Sequence, residues 1–101
     1  MKTIKLDATS WKSVSDFYDA LLPAIGAPDW HGRNINALID SIVVGGINNL
    51  HPPYAVTIVN AIGLPEAVSS EVVFAANAIQ EGRRDWLART GEDVVVSLEL
   101  A

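Results

Sequence analysis

The chain has 101 residues, half of them hydrophobic, with no cysteine and a net charge of −5. This length predicts a single domain, 1–101, that buries a core without cross-links, and the missing cysteines exclude disulfide frameworks, thiolate zinc sites, iron–sulfur clusters and thiol catalysis. No apolar run approaches the roughly 20 residues of a bilayer span, and Lys2 and Lys5 lead into no signal-type apolar core, so a cytoplasmic protein is expected.

Charge is spread unevenly. Between Asp7 and Glu81 only Lys12 and Arg33 are basic, against eight acidic residues, which leaves that body at −6. Nucleic-acid binding requires clustered Lys and Arg to neutralise phosphates, so direct contact with RNA or DNA is not expected, and a basic partner is favoured over an acidic one.

Residues 2–8 alternate polar and apolar, with Ile4, Leu6 and Ala8 on one side, which predicts a first strand. Thr9 or Ser13 can cap the helix that follows, whose apolar stripe is Val14, Phe17, Leu21 and Ile25. Pro23 kinks its last turn or ends it at Leu22. Asp29 to Ile42 then read as a loop feeding a second helix. Gly32 permits a bend, Asn34 suits an N-cap, and Ile35, Leu38, Ile39 and Ile42 recur at helical spacing, while Asn36 and Asp40 share the opposite face. The pattern fits a presentation surface or an ordinary capped amphipathic helix.

Gly45-Gly46 closes that helix, a connector with one short helical turn at 47–50 follows, and Pro52-Pro53 forbids further helix. Residues 54–60 are almost continuously apolar and β-branched, as in a central parallel strand buried on both faces. Pro65 opens a long helix with Val68, Val72, Ala75, Ala76, Ile79, Trp86 and Leu87 on its buried side, divisible in two at Gly82 and terminated at Gly91. Val94, Val96 and Leu98 alternate with Val95, Ser97 and Glu99 in a last strand. Strands joined by helices predict an α/β fold, a small three-stranded parallel sheet packed with about four helices and crossed over right-handedly.

Signals for chemistry are sparse. His31 and His51 lie twenty residues apart without a spaced ligand partner and read as surface histidines, so no metal is expected. No Gly-x-Ser-x-Gly elbow or phosphate loop is present, and no cofactor is expected. One enzyme-like alternative is a crevice at the strand carboxyl ends, gathering Asp7, Asn60 and Glu99. Among the aromatics, Trp11 and Trp86 read as core or core rim, whereas Trp30 lies in the glycine-containing loop, where an interface anchor belongs.

Pro28, Trp30, Gly32, Asn34, Ile35, Ala37, Leu38 and Asp40 meet a Pro-x-aromatic-x-Gly-x-Asn-hydrophobic-x-Ala-Leu-x-Asp signature, preceded by the helix containing Asp16 to Leu21. At these residues the chain resembles the barstar family, small intracellular inhibitors of secreted bacterial ribonucleases. The resemblance implies a barstar-like fold and no enzymatic activity. It implies an immunity protein, a monomer in a 1:1 complex, that plugs the basic active site of a bacterial ribonuclease or related toxin domain. Asp40 then takes the place of an RNA phosphate, and Trp30 replaces the tyrosine that covers the catalytic histidine. The partner-facing set becomes Trp30, His31, Gly32, Asn34, Asn36, Ile39 and Asp40, with Asp85 from the last helix.

The chain departs from the family in three places. Asn36 is an amide where the family can carry an acid, and Ile39 stands where the family has tryptophan. Counting back from Gly91 to the family's further carboxylate reaches Trp86, with Asp85 and Glu81 nearby and Arg83 and Arg84 on the same helix end. These changes imply a target other than barnase, with a less uniformly basic site. The other readings are immunity to a different toxin class, a barstar-fold interaction module, and the strand-end small-molecule site.

Overall fold

The computed structural model describes residues 1–101. In chain order it contains β1 (Lys2–Asp7), α1 (Val14–Ala24), α2 (Ile35–Ile39) with a π-helical continuation (Asp40–Val44), β2 (Tyr54–Val59), α3 (Glu66–Thr90) and β3 (Val96–Leu100). The strands form one parallel sheet in the order β1-β2-β3.

The register explains the core. Ile4 pairs with Val56, which pairs with Leu98, and Leu6 pairs with Ile58, so one row after another of aliphatic side chains faces the same way. Helices cover that face alone. Tyr54, Val56 and Ile58 are buried, while Ala55, Thr57 and Val59 are half-buried and Thr3, Lys5, Asp7 and Glu99 are exposed. The expectation of a central strand buried on both faces is therefore corrected. Strand order runs in one direction, and two right-handed crossovers taken in one direction place both helical connections on the same side.

Three α-helices are present rather than about four. The connector at 47–50 forms no helical turn, because its amides are used otherwise: Asn49 N–H donates to Gly26 O at 3.0 Å and Leu50 N–H to Ile25 O at 3.1 Å. Nor does Gly82 divide the last helix, which runs unbroken from Glu66 to Thr90 and ends on Gly91 in the left-handed conformation. Ser13 is the N-cap of α1, whose first turn is tied down by the Asp16 carboxylate accepting from the amides of Lys12 and Ser13 at 2.8 and 3.1 Å. Pro23 sits inside α1, which continues to Ala24.

A single apolar cluster joins the layers. Phe17, Tyr18, Leu21 and Leu22 of α1, Leu38 and Ile42 of the second helical segment, and Val68, Val72, Ala75 and Ile79 of α3 pack on Leu6, Val56, Ile58, Val96 and Leu98. Ile79 is the last fully buried residue of α3. Trp86 is half-buried at the core rim, but Leu87 is exposed, contrary to expectation, since it lies one residue further round the helix than Trp86 and off its core-facing side. No helix is long and apolar enough to cross a membrane.

Candidate functional site

The loop before α2 is held from within. His31 N–H donates to Pro28 O at 3.0 Å, and the Asn34 side chain accepts from Ala37 N–H at 2.8 Å, satisfying one of the free donors at the start of α2. Gly32 is needed for space: a Cβ there would lie 3.0 Å from Ala37 Cβ and 3.1 Å from Asn34 Nδ2. Arg33 turns back onto α1, paired with Asp19 and donating to Ser15 O at 3.1 Å. The one basic side chain of the loop is thus directed away from α2.

Asp40 marks the junction where α2 widens into its π-helical continuation. Its N–H is shared between Asn36 O and Ala37 O, and its carbonyl accepts from Gly45 N–H at 3.2 Å, the five-residue span of a π turn. Beside it runs a groove of about 510 Å³ lined by Ile35, Asn36, Ile39 and Asp40 on one wall and Ala78, Glu81, Gly82 and Asp85 on the other. The second wall is one face of α3, spaced three and four residues apart. Arg83 leaves that face by bonding Asp93 through two nitrogens, at 3.0 and 3.1 Å, and Val96 O at 3.1 Å. The carboxylates of Asp40, Glu81 and Asp85 have no hydrogen-bond or ion-pair partner in the protein. The groove therefore concentrates three unpaired carboxylates around a floor containing Ile39 and Gly82.

The residues expected at the site fall into three groups. Asn36, Ile39, Asp40 and Asp85 meet in the groove. Trp30 is 74 % exposed on the adjoining loop. Gly32 and Asn34 build the loop, and His31 lies behind it at 7 % exposure, with Nδ1 against Gly32 O at 2.6 Å and Nε2 against Ser41 Oγ at 2.7 Å. Reading His31 as a surface histidine is corrected, since it belongs to the interior hydrogen bonding of the loop. Glu81, considered only as a neighbour of Asp85, shares the wall with it, and Ile35, Ala78 and Gly82 were missed. Extending the helical spacing from Asp85 back to Ala78 would have found that wall.

The strand carboxyl ends offer no second site. Asp7 is engaged by the protein itself: its Oδ1 accepts from the Thr9 hydroxyl, from Thr9 N–H at 2.9 Å and from Asn60 Nδ2 at 3.0 Å. These bonds, the Thr9 hydroxyl first, hold its carboxyl at about 2. Asp7, Asn60 and Glu99 line none of the surface cavities.

A three-stranded parallel sheet with helices on one face defines a small α/β protein. The family profile described as Barstar (barnase inhibitor) matches residues 1–99, and the chain belongs to the barstar family. Members of this family are inhibitors rather than enzymes, and they bind ribonucleases. A search of curated proteins found no match to the chain.

Proposed function

We propose that this protein is an immunity protein that neutralises a ribonuclease toxin by occupying its active site with the surface formed by Trp30, the groove wall of α2 and the facing wall of α3. The observation that carries the reading is the set of unpaired carboxylates, Asp40, Glu81 and Asp85, in one groove. Like charges gathered without counter-ions oppose folding, and their repulsion is relieved when cationic side chains enter. A ribonuclease active site supplies such cations because it binds RNA phosphates, so the groove offers carboxylates where the enzyme expects phosphates.

Aromatic and charged groups then divide the work. Trp30 contributes apolar area that desolvates the contact, and the carboxylates supply charge-assisted hydrogen bonds that slow dissociation. Asn36 makes the α2 wall less acidic than an acid there would, and Ile39 presents a smaller apolar side chain than tryptophan, so the complementary enzyme surface carries an amide-binding and apolar patch beside its cations.

Titrating the purified protein into a barnase-type ribonuclease, and into any ribonuclease whose gene adjoins its own, while following RNA cleavage tests the reading. Stoichiometric loss of cleavage with one of them is expected. Full cleavage by both at excess inhibitor would overturn it.

A further inference from the structure

Behind the proposed docking surface, two buried polar side chains join its loop to its helix. His31 and Ser41 are 7 % and 3 % exposed, and His31 Nε2 lies 2.7 Å from Ser41 Oγ. The other ring nitrogen, Nδ1, lies 2.6 Å from Gly32 O, and Ser41 Oγ lies 3.1 Å from Leu38 O. A carbonyl only accepts, so Nδ1 carries a hydrogen in every protonation state of the ring. In the neutral ring Nε2 is then a bare acceptor, and the Ser41 hydroxyl donates to it. In the imidazolium Nε2 donates, and Ser41 accepts while turning its own hydrogen toward Leu38 O. The serine reverses its role and neither state leaves a buried polar atom unpaired.

Position gives this pair its use. Each member directly follows a side chain that reaches outward: Trp30 precedes His31, and the exposed Asp40 precedes Ser41. We infer that the His31–Ser41 hydrogen bond is the positioning element of the docking surface, setting the offset between Trp30 and Asp40. The inference rests on the reading that Trp30 and Asp40 dock. The ionisable groups that line a cavity together with His31 are Tyr18 and Asp19 from α1 and Asp29 and Arg33 from the loop. Tyr18 is bonded to Glu71 and Asp19 to Arg33, so both already have partners.

Long-range ¹H–¹⁵N spectra of the free, uniformly labelled protein test the inference, with exposed His51 as internal reference. Neutral His31 is expected as the Nδ1–H tautomer, with Nε2 accepting from the Ser41 hydroxyl. Ser41→Ala should speed exchange of the His31 amide by up to about tenfold, the worth of one buried hydrogen bond. Ser69→Ala, which removes a serine hydroxyl bonded to Glu66 O on α3, should leave it unchanged. An Nε2–H tautomer, or unaltered exchange in Ser41→Ala, would each overturn the inference. No partner is needed, so the nuclease titration and this test fail separately.

Discussion

Gly82 of α3 faces Val43 so closely that a Cβ at 82 would stand 3.0 Å from Val43 Cγ2 and 3.3 Å from Ile39 Cγ2. Both neighbours are β-branched and held in one helical rotamer, so neither yields easily. Gly82→Ala gains up to about 1 kcal/mol of helix propensity, but overpacking costs about 1–3 kcal/mol. A net loss of about 1 kcal/mol is expected in urea unfolding, with weaker ribonuclease binding because the groove walls separate.

Asp40→Ala should separate binding from stability. The carboxylate is exposed and unpaired in the free protein, so unfolding free energy should stay within about 0.5 kcal/mol of wild type. Binding should weaken by more than about 2 kcal/mol, the level of a hot spot, and Trp30→Ala should behave alike. Calorimetric titration against the inhibited nuclease reads both.

Association should depend on salt. The −6 body between Asp7 and Glu81 would attract the basic nuclease proposed above from a distance, and ions screen such attraction beyond about 10 Å at 0.1 M. Stopped-flow on-rates are expected to fall steeply as sodium chloride is raised, with off-rates changing far less.

Acid sensitivity follows from Asp7. Its pKa falls from 3.8 to about 2 on folding, so its stabilisation is complete above 3.8 and is lost as pH falls through about 2. Asp7→Asn should flatten the unfolding free energy against pH across that window, as followed by circular dichroism, and Asn60→Ala should raise the Asp7 pKa in a carboxyl-carbon NMR titration.

Tyr18 fastens α1 to α3 by donating to Glu71 Oε2 at 2.6 Å. Burial, and then the Glu71 carboxylate, raise its pKa above 10.0, so the linked stability is full below that pH and declines as pH rises past it. Tyr18→Phe should cost about 1.5–3 kcal/mol at neutral pH in urea unfolding, the range for a hydrogen bond to a charged group.

Features with a local cause were legible in the sequence, and those decided by distant partners were not. Asn34 caps α2 because the donor it satisfies lies three residues on, and Ile35, Leu38, Ile39 and Ile42 disclose their face through spacing alone. The one-sided burial of β2 escaped notice because Ala55, Thr57 and Val59 are apolar enough to suit either environment. His31 looked like a surface residue because Ser41, its partner, is ten positions away and at no regular period. The α3 wall was obscured by Arg83, whose charge is taken up by Asp93 only once the chain has folded back past Gly91.

The bare face of the sheet gives the molecule a back as well as a front. Helices and groove occupy one side, while Thr3, Lys5, Thr57 and Glu99 lie on the other, where no packing layer depends on them. A fluorophore or surface tether attached through Thr57→Cys would leave the groove open, and the absence of native cysteine makes that attachment unique.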